Sequence, residues 1–247
     1  MTLNLARNYI LNEYINKLIQ DEKPDIIALQ EAVHAQPDAT DHHGRIPPEG
    51  SRIVPKIAEK FGYQYSFGYA ANTPPTDETR YWGPAILSKF KFLESTRISL
   101  AQRRRALVKV QIQPDRSALT CYSTHLPAGW YRRYGLSYTA IYEAYTRRKE
   151  IISLIMKEIG DNPKHTILAG DFNSIPLLNE VELISKTMND AFLVKGKGHG
   201  STYHAFLPFA RVDYIFTSRD IEILGSWVSD AYQTLDHRAV VADIILN

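Results

Sequence analysis

The chain has 247 residues, a net charge of +2, 44% hydrophobic and 23% charged residues, and one cysteine, Cys121. That is ordinary globular composition, and it excludes disordered, collagen-like and internally disulfide-bonded chains, as well as a cysteine zinc cage. No apolar run approaches the roughly 18 residues of a membrane span, and residues 1–20 lack the basic start and apolar block of a signal peptide.

Thr2–Leu5 alternates and predicts a short first strand. Ile10, Tyr14, Leu18 and Ile19 recur at helical spacing, predicting an amphipathic helix over 8–21 that Pro24 stops. Asp25–Gln30 is a short apolar run bounded by polar residues, hence a buried strand, and this strand–helix–strand opening is that of an α/β layered fold. Residues 34–50, rich in Pro and Gly, read as a loop. Ile53, Ile57, Ala58 and Phe61 predict a short helix, Tyr63–Tyr69 a strand and Asn72–Glu78 a loop. Ala85–Ser88, Leu93–Leu100, Ala106–Ile112 and Leu119–Thr124 have the spacing of an antiparallel meander. After a loop over Pro127–Gly135, a long helix over Ser137–Ile159 is marked by Ile141, Ala144, Tyr145, Ile151, Ile152 and Ile155. Thr166–Ala169 reads as a buried strand, Glu180–Lys186 as a helix, and Gly196–Gly200 as a flexible loop that leaves Thr202 and Tyr203 placed to line a cleft. Val212–Thr217, Ile221–Val228 and Ala239–Ile245 are the last strands. No repeat or linker interrupts the pattern, so one domain spanning 1–247 is expected.

Several apolar strands end abruptly in carboxylates, amides or imidazoles. Glu31 closes the second strand, His125 the meander, and Gly170–Asp171–Phe172–Asn173 follows Ile167–Leu168–Ala169. Asp213 sits inside an apolar strand, Leu235–Asp236–His237 opens the last one, and Asn4 lies in the first. Any one of these suits a cap or a turn. Together they are harder to dismiss, because a buried carboxylate is costly unless paired or metal-bound, and strand ends on one sheet edge converge.

Glu31, Asp171 and Asp236, with the amides of Asn4 and Asn173, are hard oxygen donors that suit Mg²⁺ or Mn²⁺ rather than zinc. His125 and His237 supply proton donors or phosphate clamps near neutral pH, and Asp213 is the expected partner that orients His237. Neither G-x-x-x-x-G-K-S/T, G-x-G-x-x-G nor G-x-S-x-G occurs, so nucleotide-loop and serine-hydrolase chemistry are not indicated. Metal-assisted attack of water on phosphorus fits the donor set best.

The segments TLNL (2–5), PDIIALQE (24–31), GPAILSK (83–89), STHL (123–126), ILAGDFNS (167–174), RVDYIF (211–216) and LDHRAVVADI (235–244) resemble, in this order, the endonuclease/exonuclease/phosphatase superfamily with its deoxyribonuclease-I-like fold. LQE, GDFN and the late DH are jointly specific, and the likeness covers essentially the whole chain. It implies a four-layer α/β (α+β) sandwich of two mixed β-sheets flanked by helices. It also implies a Mg²⁺-dependent (or Mn²⁺-dependent) phosphoric ester hydrolase acting on a phosphodiester or phosphomonoester. By that resemblance Glu31 is the main metal ligand with Asn4 beside it, and Asp236 is a ligand or supports one. Asp171 positions or deprotonates the attacking water, and Asn173 holds a phosphate oxygen or a second metal. His237, oriented by Asp213, contacts the scissile phosphate, and His125 stabilises the transition state or protonates the leaving oxygen. The implied partner is a phosphate-ester substrate: nucleic acid, phospholipid or a small phosphorylated metabolite. A nuclease acting on DNA or RNA and a non-catalytic binding protein that keeps the fold are the alternatives. The THL at His125 is like the deoxyribonuclease, sphingomyelinase and inositol-phosphatase branches and disfavours abasic-site repair. Two positions depart from the pattern. Leu235 stands where the late motif usually has serine, with Thr234 as a substitute hydroxyl, and Leu3 stands where many members have an aromatic.

Weaker signals remain. Trp130, Tyr131 and Arg132 follow His125 on a loop and are expected to contact substrate, packing on the long helix being the plainer alternative. Glu78 and Arg80, ahead of the GPAILSK segment, are candidate substrate-binding residues, Glu78 also a candidate to orient His125, with solvation on a loop the plainer alternative. His34, Asp38, Asp41, His42 and His43 read as a polar surface loop. Residues 80–149 carry 14 Lys/Arg against 3 acids, whereas the remainder holds 15 basic and 24 acidic residues. If that split survives folding, it suits an anionic substrate. The chain starts almost directly in its first strand, as a soluble fragment of a longer protein would.

Overall fold

The computed structural model describes residues 1–6, 13–34, 52–68, 81–100, 105–128, 138–205, 209–230 and 235–246. β1 (Thr2–Asn4) leads through α1 (Glu13–Glu22) to β2 (Ile26–His34), and the two strands pair in parallel with Thr2 opposite Ala28 and Asn4 opposite Gln30. α2 (Ile53–Phe61) stops at Gly62, whose φ of 73° is the left-handed cap that glycine adopts without strain. β3 (Gln64–Phe67) and β4 (Tyr81–Ser88) extend the same sheet. β5 (Phe92–Leu100), β6 (Arg105–Ile112) and β7 (Leu119–His125) begin a second one. Then come α3 (Tyr138–Ile159), β8 (Thr166–Asp171), α4 (Asn179–Ser185), β9 (Met188–Asp190), α5 (Ala191–Lys195) and β10 (Gly196–Lys197). β11 (Asp213–Ser218), β12 (Ile221–Val228) and β13 (Val240–Leu246) follow.

Among the described residues the strands form two mixed sheets, one seven-stranded in the order β10-β12-β13-β1-β2-β4-β3 and one six-stranded in the order β5-β6-β7-β8-β11-β9. Strand alternation divides the side chains between two environments. On β8, Ile167 and Ala169 point into the space between the sheets, while Leu168 points outward to α3 and α4. Ile86, Val108, Cys121, Ala28, Ile215 and Val240 fill the inter-sheet layer. Ile15, Leu18 and Ile57 seal α1 and α2 onto the first sheet, and Ile151, Ile155 and Ile184 seal α3 and α4 onto the second. The result is the expected four-layer α/β sandwich, helix on sheet on sheet on helix. No helix among the described residues is long and apolar enough to cross a membrane.

Three expectations need correction. β4 does not begin the meander; it joins the first sheet between β2 and β3, and only β5, β6 and β7 run as consecutive antiparallel neighbours in the second. Short connections cannot tell a hairpin from a crossing between sheets. Residues 196–200 are not wholly loop, because Gly196 and Lys197 pair in parallel with Ser226 and Trp227. Leu235–Asp236–His237 precede the last strand rather than opening it, since β13 starts at Val240.

One close approach fixes the site's geometry. β7 and β8 pair in parallel, Thr124 opposite Gly170 and His125 opposite Asp171. A Cβ on Gly170 would overlap the carbonyl oxygen of Thr124, so glycine is required for the two strands to lie this close. Gly170→Ala is expected to cost about 3 kcal/mol, the upper end of ordinary overpacking. Urea unfolding should show it as a lower midpoint at unchanged slope; an unaltered midpoint would mean that the contact is looser than described.

Candidate active site

Asp171 ends β8, and sheet register surrounds it with polar neighbours. His125 on β7 is its parallel partner and Asp213 on β11 its antiparallel partner. Three adjacent strands thus present His125, Asp171 and Asp213 in one row. Asn4, at the end of β1 in the other sheet, reaches across: its Nδ2 donates to Asp171 Oδ2 at 2.9 Å, and its Oδ1 accepts the Ala6 N–H at 2.9 Å.

The turn after β8 supplies the next group. Asn173 has φ 48°, a left-handed conformation that asparagine tolerates better than most residues. There its backbone N–H donates to Asp171 Oδ1 at 2.8 Å, and its Nδ2 donates to the Leu126 carbonyl at 3.0 Å and to Asp171 Oδ2 at 3.2 Å. The same Nδ2 lies 3.2 Å from His125 Nε2. Phe172, pointing the other way, is fully buried edge-on against Tyr214 and Phe216. That apolar anchor holds the turn.

His237 Nδ1 donates to Asp213 Oδ2 at 2.8 Å, which leaves Nε2 pointing toward Asp171 Oδ2 at 3.8 Å. His125 Nε2 stands 3.5 Å from the same oxygen, and its Nδ1 3.9 Å from Glu31 Oε1. Tyr203 lies as expected at the cleft, its ring 4.9 Å from that of His237. Thr202 is fully buried instead, and its Oγ1 accepts the N–H groups of Val212 and Asp213. Glu31 has φ 49° and lies within a register shift of β2 against β4 between Leu29 and Ala32. Such a bulge re-aims a side chain, here into the cavity at the strand ends.

That cavity, of about 400 Å³, carries Asn4, Glu31, His125, Asp171, Asn173, Asp236 and His237. Asp213 lies directly behind His237. A larger cavity of about 510 Å³ opens at the amino-terminal ends of β1, β2, β7 and β8. Its described lining has carboxylates at Glu22, Asp25, Asp115 and Asp243 but no histidine, and the rest is mainly apolar. The smaller cavity is therefore the one equipped for proton transfer.

Burial and the adjacent Asp213 carboxylate raise Asp171 well above the usual carboxylate range. Burial by itself would lower the His237 imidazole, but Asp213 and Asp171 outweigh it and hold it well above the usual histidine range. The donor set also fits a hard dication. Asp236 Oδ1 is buried with no hydrogen-bond partner and shares the cavity with Glu31. An uncompensated buried carboxylate oxygen is what a cation relieves. Ligand atoms of Asp171, Asp213 and His237 also lie within 4.8 Å of one another. The short Asp213–His237 bond makes that trio an oriented imidazole beside a carboxylate rather than a closed cage.

The structure brings together Asn4, Glu31, His125, Asp171, Asn173, Asp213, Asp236 and His237. Glu78, Arg80, Trp130, Tyr131, Arg132 and Thr234 lie outside the described residues. Leu235 is buried in the core beneath α1 and α2, so it contributes packing where the motif usually has a hydroxyl. The sequence analysis missed Arg148, which lines the cavity while its Nε donates to the buried Glu180 at 2.9 Å. The signal was present. Position 148 falls four residues after Ala144 and four before Ile152 on the inward stripe of α3. Behind the site, Gln30 Nε2 donates to Ser123 Oγ across the sheets at 3.3 Å.

The Endonuclease/Exonuclease/phosphatase family model matches residues 1–237, and the chain belongs to that family. Hydrolysis of phosphoester bonds is the reaction class that its members share. No curated protein sequence matches the chain. Among solved structures it is similar to an endonuclease/exonuclease/phosphatase from Beutenbergia cavernae (18% identity, TM-score 0.75, 99% of this chain and 70% of that one). It is also similar to the human Nocturnin catalytic domain (19% identity, TM-score 0.65, 94% and 85%). A third likeness is to a mannosyl-6-phosphatase of Bacteroides thetaiotaomicron (16% identity, TM-score 0.67, 98% and 92%). These likenesses show the shared fold.

Removing the charge at position 213 tests the electrostatics. In Asp213→Asn the imidazole loses its strongest attraction while its burial remains. The titration midpoint of His237 should therefore fall by more than one pH unit in the metal-free protein, followed by ring-proton NMR. A midpoint equal to that of the wild type would remove Asp213 as its partner.

Proposed function

We propose that this member of the family is a divalent-metal-dependent phosphoester hydrolase in which water attacks phosphorus in the Asp171 cavity, residues 1–247 forming one catalytic unit. The observation that carries the reading is the convergence of Asn4, His125, Asn173 and His237 on the single carboxylate of Asp171, with Glu31 and Asp236 beside it. A bound Mg²⁺ or Mn²⁺ would supply charge neutralisation at phosphorus and a Lewis acid for a phosphoryl oxygen. Glu31 and Asp236 are the residues to hold it, with Asn4 adjacent.

The chain's own groups do the rest. Asp171, oriented by the Asn4 amide and the Asn173 N–H, accepts the proton of the attacking water, and its raised proton affinity suits a general base near neutrality. The Asp213 and Asp171 carboxylates favour the doubly protonated His237, which gives its Nδ1–H to Asp213 and directs its Nε2–H at a phosphate oxygen. His125, across Asp171 from Asp213, stabilises the transition state or protonates the leaving oxygen. Asn173 Nδ2, which donates to the Leu126 carbonyl and to Asp171 Oδ2, would turn one of these bonds to a phosphate oxygen when substrate enters. A non-catalytic role would leave two adjacent buried carboxylates, a costly arrangement, without a purpose. The alternative, cleavage of DNA or RNA, rests on the basic surplus of residues 80–149 in the sequence and requires turnover that falls steeply with salt.

Hydrolysis of a chromogenic phosphate ester by the purified protein should vanish with EDTA and return with Mg²⁺ or Mn²⁺. Asp171→Ala should lower kcat by at least about 10³-fold at full metal. Asp236→Asn should raise the metal concentration for half-maximal rate by about 10- to 100-fold. Turnover that survives thorough chelation, or an Asp171→Ala protein as active as the wild type, would end this reading.

A further inference from the structure

Resting on the phosphoesterase reading, we propose that the substrate is an amphiphilic phosphate ester, one phosphate carrying a long alkyl or acyl chain, and that the chain lies along the apolar wall of the Asp171 cavity. The cavity is mixed in chemistry. Besides the polar groups, Ile141 of α3, Ile175 and Leu178 of the β8–α4 connection, and Phe209 ahead of β11 contribute its lining. Three of them stay open to solvent: Ile141 is 44%, Ile175 39% and Phe209 66% exposed. Leu177, between Ile175 and Leu178 in the same connection, is 90% exposed. Single exposed apolar side chains are ordinary, but several from three separate segments around one catalytic cavity mark a surface that an apolar group covers.

Charge points the same way. Arg148 is the one Lys or Arg on the described lining. It is 4% exposed, its Nε donates to Glu180 at 2.9 Å and its Nη1 to the Pro127 carbonyl at 3.3 Å. That guanidinium is thus engaged by the protein itself, its Nε by Glu180 and its Nη1 by the Pro127 carbonyl. The described lining offers apolar area contiguous with a site for one phosphate. Ordinary phosphoester hydrolysis, with water adding to phosphorus and the alcohol or phenol leaving, completes the reaction.

The test uses n-alkyl phosphates and p-nitrophenyl n-alkyl phosphodiesters from ethyl to decyl, kept below their micelle concentrations, alongside plasmid DNA and glucose 6-phosphate. At roughly two- to four-fold per methylene that reaches the wall, kcat/KM for decyl should exceed that for ethyl by at least 100-fold. In the double variant Ile175→Ser/Phe209→Ser that ratio should fall at least ten-fold, with an unchanged urea midpoint as the check on folding. Binding of n-decylphosphonate against ethylphosphonate reports the same ratio without turnover. A second arm compares soluble esters with dioleoylphosphatidic acid in phosphatidylcholine vesicles; preference for either supports the proposal and says whether the chain is met free or in a bilayer. A ratio near one in the wild type, or faster cleavage of DNA than of any alkyl ester, overturns the apolar-chain inference and leaves the phosphoesterase reading standing. Absence of Asp171-dependent hydrolysis across the whole panel overturns both.

Discussion

Two carboxylates on neighbouring strands govern this molecule. Asp171 and Asp213 are direct antiparallel partners, and both are buried. Like charges placed opposite each other destabilise a sheet, and withdrawing them from water costs more. The structure offsets this locally: His237 takes one carboxylate, and Asn4 with the backbone and side chain of Asn173 takes the other. Each compensating group comes from a different stretch of chain. The charge pair is therefore tolerable only when the whole arrangement has formed. Because side chains alternate along a strand, a one-residue slip of β8 against β11 would turn Asp171 to the opposite face.

A buried polar ladder one step behind the site keeps the two sheets aligned. Thr2 Oγ1 donates to Gln30 Oε1 at 3.2 Å, Gln30 Nε2 donates to Ser123 Oγ at 3.3 Å, and Ser123 Oγ donates to the Leu29 carbonyl at 3.2 Å. Thr2, Gln30 and Ser123 are each fully buried, so each unmade bond would be costly. Thr2 and Asn4 share one face of β1, and Ser123 and His125 share one face of β7. The ladder thus fixes the inter-sheet alignment that brings Asn4 to Asp171, residues 167 positions apart. An apolar contact could hold the sheets together but would resist sliding less, since hydrogen bonds have preferred directions.

The strand-end acids were legible because they break a local pattern. The run that stops at Gly170–Asp171–Phe172–Asn173 would by itself suit a turn; it stands out because other apolar runs stop at Glu31 and His125 in the same way. Element order was legible too, down to the β1–α1–β2 opening. Sheet membership was not. β4 lies between β2 and β3 because β2 pairs along most of its length and β3 with Ala85–Ser88, a non-local fact invisible in its own residues. β9, α5 and β10 have three, five and two residues, too few to show a period. Asp190 illustrates the compensation such short elements need: its Oδ1 caps α5 at Phe192 and Leu193 while its carboxylate pairs with Arg211. The position of Glu31 was half legible. LQE located the residue, but β2 continues to His34, and it is the bulge rather than a strand end that aims Glu31 into the cavity.

The charge split in the sequence carries a different lesson. Folding pairs several cations of the basic stretch with acids from outside it: Lys89 with Asp25, Lys109 with Glu158, and Arg148 with Glu180. Arg147 pairs within the stretch, with Glu143. The exposed pairs contribute little to stability, but each still places a negative group beside a positive one and shortens the reach of its field. A basic segment read from sequence is therefore not yet a basic face. On the proposed reading, what selects a substrate is the chemistry of one cavity, whose lining holds both proton-handling groups and isoleucine, leucine and phenylalanine. Recognition by that apolar lining scales with the apolar area a ligand buries, whereas recognition by a basic face scales with the number of phosphates it presents.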